Sequence, residues 1–266
     1  MQTYAKLKDW LKQSTLNEVT KNICSQVKRR PDNIPWRQIL FRLYCIQGLW
    51  EKAAIQLDTL LLLDEHNNQQ NELYKNLIFS ELLRDKVLKG EKQAATLDNA
   101  PCVWLLRLQQ ANQAYQQGKM DLSDRLRAEA FGAAPVSAGQ GENTGDFSWL
   151  ADSDARLGPV CEFIYAGGYR WIPYADIESL RVYAPEEILE LIWARAQIVV
   201  KGETFFGFIP ARYPINSETD EAARLGHKTE WKTLTGMLAV GSGRKVLITD
   251  KKELSLFEIE TVHFAC

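Results

Sequence analysis

Apolar residues recur at helical spacing through roughly the first half of this 266-residue chain. Residues 36–47 place four apolar side chains on one helical stripe, and residues 51–63 and 71–88 repeat the pattern. Pro101 is placed to open a further helix. The four side chains of the first stripe are Ile39, Leu40, Leu43 and Tyr44. The pattern predicts about three helical hairpins over residues 1–134, the middle one distorted because residues 71–88 form a single long helix.

The turn between these helices recurs at a fixed interval. Residues 47–53 read QGLWEKA, in which Gly48 permits a left-handed turn and the small Ala53 lets two helices approach. Residues 14–19 stand 34 positions earlier, and residues 117–121 repeat the Gln-Gly turn 70 positions later. An interval of 34 residues is the tetratricopeptide period. We therefore expect a tetratricopeptide-like stack of hairpins.

The pattern changes near Pro135. Residues 136–146 are mostly small and polar, which predicts an exposed connection. Beyond it, short apolar runs alternate with Gly, Pro and Asp, as they do in strands. The predicted elements are a hairpin of 160–165 with 169–172, a strand at 177–183, a short helix at 186–191, a hairpin of 194–200 with 203–209, a helix at 217–225 capped by Ser217, and strands at 245–249 and 254–259.

These two patterns predict an α+β fold with two domains. Residues 1–134 form the tetratricopeptide-like helical domain, and residues 147–266 form a mixed, mostly antiparallel α/β module. The chain is 45% hydrophobic and 25% charged, so each half can bury a core. No apolar run approaches the roughly 20 residues that span a bilayer, and the first residues do not form a signal peptide. We therefore expect a cytoplasmic protein that does not contact a membrane.

Charge is divided unevenly between the halves. Residues 1–134 hold 19 basic and 15 acidic side chains (+4), and residues 135–266 hold 13 and 19 (−6). The basic cluster at 28–30 is too short for a nucleic-acid groove, so no nucleic-acid partner is expected. The five cysteines are widely spaced and contain no CxxC pair. That spacing favours reduced thiols over a disulfide framework or a zinc site.

The second half contains several incomplete combinations of reactive residues. Cys161, Asp154 and His263 are residue types of a nucleophilic triad, but no local motif supports them. His227 and Glu230 lie three positions apart, and two ligands do not make a metal site. Residues 241–245 (GSGRK) lack the spacing of a phosphate-binding loop. We therefore predict no catalytic residue, no metal and no cofactor, and expect a binding protein.

Stacked helical hairpins curve, and the first helix of each pair lines their concave face. Within residues 36–47, the positions left over after core packing include Gln38, Arg42 and Cys45. A groove of this kind suits an amphipathic peptide or helix. These three residues are our predicted partner contacts.

A series of short motifs in the second half resembles a known family. The order is DxRxGP at 154–159, GYxWIP at 168–173, LIW at 191–193, PARYP at 210–214 and TEW at 229–231. This combination looks like the ImpE/SciE family, also called TagJ, which is an accessory protein of a subset of bacterial type VI secretion systems. The resemblance implies a non-catalytic cytoplasmic adaptor without a cofactor. It also implies binding to the N-terminal helix of the small sheath subunit (TssB-type) and a link to sheath handling by the ClpV-type AAA+ ATPase.

The motif residues also admit purely structural roles, because Gly, Pro and Trp mostly determine backbone shape and packing. We expect Trp171, Trp193 and Trp231 to fill cores, and Arg212 to pair internally with a carboxylate such as Glu230. Two other functions stay open. The chain could be a general tetratricopeptide scaffold or chaperone, or its second half a hydrolase-like enzyme with a polar pocket around Asp154, Arg156 and Arg212.

Overall fold

The computed structural model describes residues 2–63, 68–97 and 101–265. Its first part is helical and its second part is dominated by strands, which confirms the predicted α+β class. The helices are α1 Gln2–Gln13, α2 Leu16–Arg29, α3 Ile34–Ile46, α4 Trp50–Leu63, α5 Asn68–Leu88, α6 Val103–Gln116, α7 Met120–Ala133 and the short α8 Glu221–Arg224. Two predicted helices, 36–47 and 51–63, match α3 and α4 closely, and the predicted long helix is α5.

Local chemistry fixes where the early helices begin and end. Thr15 and Glu18 form a reciprocal capping box at the start of α2. Asn33 caps α3 by accepting a hydrogen bond from the Trp36 N–H, with Pro35 in the first turn. Gly48 follows α3 with φ +69°, the left-handed conformation that the repeat motif predicts.

The strands form one large sheet and two small ones. All paired strands within them are antiparallel. The strands are β1 Gly139–Gly141, β2 Gly145–Phe147, β3 Leu150–Asp152, β4 Val160–Tyr165, β5 Gly168–Pro173, β6 Ser179–Val182, β7 Trp193–Val200, β8 Glu203–Pro210, β9 Arg212–Tyr213, β10 Thr229–Thr233, β11 Ala239–Arg244, β12 Val246–Thr249, β13 Glu253–Ser255 and β14 Thr261–Phe264. The eight-stranded sheet has the order β2-β1-β14-β6-β7-β8-β4-β5, and the small sheets are β10-β11-β9 and β13-β12-β3.

Both predicted hairpins are present, β4 with β5 and β7 with β8. The segment 136–146 is not an open connection, because β1 and β2 pair within the large sheet. The predicted helix at 217–225 shortens to α8, because Asp220 rather than Ser217 caps it by accepting from the Ala223 N–H. A 3₁₀ helix, Ile188–Leu191, stands where the short helix at 186–191 was predicted.

Alternating residues of the large sheet belong to different cores. Val160, Ile164 and Trp171 join a core built largely from the helices. Cys161 and Phe163 point into a second core, which includes residues of the sheet β13-β12-β3. Because successive strand residues face opposite sides, the helices lie on one face of the large sheet and that small sheet on the other. The helical half therefore shares its core with the strands.

Among the described helices, the long apolar stretch that a membrane span requires does not occur.

The end of α5 approaches α6 so closely that only glycine fits. Gly90 has φ +77°, and an added Cβ would lie 2.4 Å from the Gln113 backbone nitrogen. We expect Gly90→Ala to lower the free energy of unfolding by about 2–4 kcal/mol, from left-handed strain plus overlap with backbone. Urea unfolding measures this value.

Gly132 provides the matched control. It lies in α7 with nothing within 4 Å of an added Cβ. Gly132→Ala should raise stability by about 0.4–1 kcal/mol, because it reduces the freedom of the unfolded chain. Equal effects at Gly90 and Gly132 would contradict this close approach of α5 and α6.

Candidate functional site

The three predicted partner contacts lie on α3 in different environments. Gln38 and Arg42 are partly exposed, whereas Cys45 is 0% exposed, and burial raises the pKa of its thiol. The Arg42 Nη1 donates to the Gln38 carbonyl at 3.1 Å, and its Nε is buried without a hydrogen-bond partner. The Cys45 side chain faces the core and is not available to a partner in this conformation. Contact by Gln38 and Arg42 stays a prediction.

The C-terminal end of α3 is covered by Arg212 from the strand half. Its guanidinium donates to the carbonyls of Cys45 and Ile46, both at 2.6 Å, and to that of Arg224. The last carbonyls of a helix lack intrahelical partners and carry partial negative charge. Burial lowers the pKa of Arg212 to about 10. The predicted pairing of Arg212 with Glu230 is therefore wrong, because backbone carbonyls take the place of a carboxylate.

A cluster of buried charges joins α5 to the sheets. Arg84 forms a two-pronged ion pair with Glu162 on β4, with Nε–Oε1 2.6 Å and Nη2–Oε2 2.9 Å. Lys245 reaches the same carboxylate at 2.7 Å and also contacts Asp152 on β3. We call Arg84, Glu162, Lys245 and Asp152 the buried charge network. Each member is nearly inaccessible to solvent.

Aromatic side chains add hydrogen bonds to the two carboxylates of the network. The Tyr169 hydroxyl donates to Glu162 at 2.5 Å and accepts from the Trp171 indole N–H at 2.7 Å. The Tyr213 hydroxyl lies 2.7 Å from Asp152. Two carboxylates that are paired and hydrogen-bonded in this way are stable inside a protein, where an unpaired charge is not.

The network sets the protonation state of its central carboxylate. Burial alone would raise the pKa of Glu162, but Arg84 and Lys245 outweigh it and hold the pKa well below the usual value of 4.5. Because the folded pKa lies below the unfolded one, ionised Glu162 stabilises the fold above about pH 4.5. That contribution is lost as the pH falls towards the folded pKa.

A second cluster joins α6 and α7 to the loop after β3. Asp154 accepts from the Arg156 Nε and from the Gly241 N–H, both at 2.9 Å. Arg127 on α7 donates to the Ala155 carbonyl, and Asn112 on α6 donates to the Arg156 carbonyl. The residues suggested for an enzyme pocket therefore have separate structural roles. Arg212 covers the end of α3, whereas Asp154 and Arg156 pair with each other in the loop after β3.

The residues of the possible nucleophilic triad are not brought together. Cys161 lies in the core between the sheets, where burial raises the pKa of its thiol to about 12. His263 is exposed on β14, and Asp154 is occupied by Arg156. Within residues 2–63, 68–97 and 101–265, no group of three His, Cys, Asp or Glu side chains is placed to hold a metal ion.

Comparison with known proteins now assigns the family. The family model described as ImpE protein matches residues 144–263, which span nearly all of the strands. The type VI secretion system accessory component TagJ of Pseudomonas aeruginosa is 36% identical over 257 residues, covering 96% of this chain and 89% of that protein. The chain belongs to the ImpE family. The resemblance drawn from the sequence motifs is thereby confirmed.

A solved structure shares the ImpE-family fold seen here. The crystal structure of protein VPA1032 from Vibrio parahaemolyticus superposes with a TM-score of 0.88, covering 98% of each chain at 21% identity. The likeness therefore extends through the helical half, beyond residues 144–263.

Sequence reasoning missed the buried charge network in this ImpE-family chain, although one signal was present. Glu162 interrupts the apolar run of β4, and Lys245 directly precedes the apolar strand β12. A charge within a buried strand implies an opposite charge nearby. The sequence did not reveal that the partner is Arg84, 78 positions earlier. Of the tryptophans predicted to fill cores, Trp171 and Trp193 are buried, but Trp231 is 44% exposed.

We expect Glu162→Gln to lower the free energy of unfolding by about 3–5 kcal/mol, because Arg84 and Lys245 would both lose a buried counter-charge. Denaturant unfolding measures the loss. Glu142→Gln in the exposed turn between β1 and β2 makes the same chemical change and should alter stability by less than about 0.5 kcal/mol. Similar values for the two variants would mean that the network does not hold the fold together.

Cysteine labelling tests for a reactive thiol. Cys102 is exposed and Cys161 is buried, so native protein treated with iodoacetamide near neutral pH should be modified at Cys102 and spared at Cys161. Peptide mapping by mass spectrometry identifies the modified residue. Labelling of Cys161 ahead of Cys102 would reopen the possibility of a nucleophilic enzyme.

Proposed function

We propose that this ImpE-family protein is a non-catalytic adaptor of a bacterial type VI secretion system. It works in the cytoplasm, binds the N-terminal helix of the small sheath subunit (TssB-type), and assists sheath handling by the ClpV-type AAA+ ATPase. The observation that carries the proposal is the 36% identity, over 96% of the chain, to a type VI secretion accessory component.

The side chains that would serve chemistry support a binding role over catalysis. Asp152, Asp154 and Glu162 are each paired with a cation, and the Cys161 thiol is buried with a raised pKa. General acid–base or nucleophilic catalysis needs such a group within reach of a substrate. A group that is already neutralised inside the core offers no such contact.

Arg42 is the strongest candidate contact for the sheath helix. It has no carboxylate partner among the described residues, and its buried Nε lacks a hydrogen-bond acceptor. A carboxylate on the incoming helix would supply the opposite charge that Arg42 lacks, and Gln38, one helical turn away, would add a neutral polar contact. Cys45 is left out of this surface because it is buried.

The expected result is that a synthetic peptide of the small sheath subunit's N-terminal helix binds the full chain with roughly micromolar affinity, because ordering the free peptide offsets much of the contact energy. Arg42→Glu should weaken binding by about 1–2 kcal/mol, or roughly 5- to 30-fold, through loss of a partly desolvated ion pair. Isothermal titration calorimetry measures both affinities.

Arg30→Glu is the control, because it makes the same charge change at the exposed end of α2. It should leave binding within about twofold of the original chain, since exposed charges contribute little. Unchanged binding by Arg42→Glu would place the helix elsewhere on the protein. Failure of the original chain to bind would contradict the proposed partner itself.

A further inference from the structure

Strand β10 is an open edge of the small sheet β10-β11-β9. Strand β11 lies between β10 and β9, so β10 has a neighbouring strand on one side alone within the described sheet. The first two residues of β10 are half-buried and the last three are exposed. An accessible edge strand offers its outward backbone groups to another strand. The open side of β10 is therefore a place where a further strand can pair.

The backbone of β10 is correctly oriented for such pairing. The Arg244 N–H donates to the Lys228 carbonyl, so the even-numbered residues of this segment bond to β11. The N–H and carbonyl groups of Thr229, Trp231 and Thr233 therefore point to the open side. Among the described residues, none forms a hydrogen bond with these outward groups.

The sequence of β10 is complementary to itself. Residues 229–233 read TEWKT, so Glu230 and Lys232 lie on either side of Trp231. When two copies pair antiparallel about Trp231, Glu230 of each copy lies opposite Lys232 of the other. Opposite charges at directly opposed positions stabilise a strand pair, and like charges destabilise it.

The charges select this register over its neighbours. A pairing centred one residue earlier opposes the two copies of Glu230, and a pairing centred one residue later opposes the two copies of Lys232. A lysine on an edge strand by itself discourages pairing with another strand. In the register centred on Trp231, the same lysine meets a carboxylate.

The ion pairs around β10 leave both charges able to gain a partner. Lys228 is shared between two carboxylates, because it contacts Asp220 and also lies 3.0 Å from Glu230. Lys232 is exposed and forms no ion pair with another described residue. A second copy would bring Lys232 to the carboxylate-rich end of β10 and Glu230 to the other end.

We propose that two copies of this protein associate through β10, antiparallel and centred on Trp231, so that their two small sheets become one continuous sheet. Trp231 is 44% exposed and its ring lies 5.5 Å from that of Tyr213. In the pair it lies opposite its counterpart, and each ring covers part of the other. The inference goes beyond the proposed function and does not rest on it.

The proposed contact is isologous, since both copies use the same strand. Each copy has one β10, so assembly stops at the dimer. A contact made by one short strand is small and therefore weak, so dimerisation should depend strongly on concentration. Salt should weaken it further by screening the exposed Glu230–Lys232 pairs.

Sedimentation velocity of the full chain, from micromolar to near-millimolar concentration, tests the contact. The average mass should rise towards that of a dimer and no further. Lys232→Glu should remain monomeric over the same range, because it places two carboxylates opposite each other. Lys92→Glu is the control, since it makes the same charge change at an exposed position after α5, and it should dimerise as the original chain does.

Reversing the charges gives the decisive result. Glu230→Lys should also remain monomeric, whereas a chain that carries both Glu230→Lys and Lys232→Glu should dimerise again, because both cross-strand pairs are restored in the opposite order. An equal mixture of the two single variants should form mixed dimers for the same reason.

Thr233→Pro tests the backbone part of the contact. Proline removes an outward N–H and leaves the bonds to β11 in place, so the variant should keep its thermal stability and lose dimerisation. Hydrogen exchange of residues 229–233 should slow as the original chain is concentrated, and should not slow in this variant.

Four results would each overturn the proposal. They are an original chain that stays monomeric at near-millimolar concentration, a mass that rises beyond the dimer, a Lys232→Glu or Thr233→Pro variant that dimerises as the original chain does, and a double charge reversal that fails to restore the dimer.

Discussion

The ion pair between Glu162 and its two cations is the constraint on which the rest of the structure depends. A carboxylate removed from water is tolerated only when opposite charge and hydrogen bonds replace its hydration. Arg84 comes from α5 and Lys245 precedes β12, so satisfying Glu162 fixes a helix and a small sheet against the large one. Moving the helices away from the strands would strip Arg84 from its partner.

Two further arginines join helices to the strand half by donating hydrogen bonds to backbone carbonyls. Arg212 satisfies the open end of α3, and Arg127 ties α7 to the Ala155 carbonyl. Trp193 adds apolar contact, because its ring lies 5.7 Å from that of Trp50 on α4. Residues of the helical hairpins therefore help to fix the helices against the strand half of the same chain. Gln38 and Arg42 on α3 stay our proposed contacts for a partner helix.

The sequence revealed features that depend on neighbouring residues. The helical period predicted α3 and α4 to within about two residues, and Gly-containing turns predicted the β4–β5 and β7–β8 hairpins. The sequence pattern did not predict features that depend on residues far apart in the chain. Short strands such as β1 are polar, and β1 is held between β2 and the distant strand β14, which pair with it on either side. The carbonyl partners of Arg212 and the burial of Cys45 arise where the two halves meet, and no local pattern encodes that contact.

Native-state hydrogen exchange, measured by mass spectrometry at low denaturant, tests most directly whether the buried charge network makes the helical half and the strand half unfold as one cooperative unit. Amides of α5, β4 and β12 should open with a single free energy that equals that of global unfolding, because no part can open without unpairing Glu162. Exchange of α3, α4 and α5 as a separate group, at lower free energy and with β4 still protected, would contradict the account.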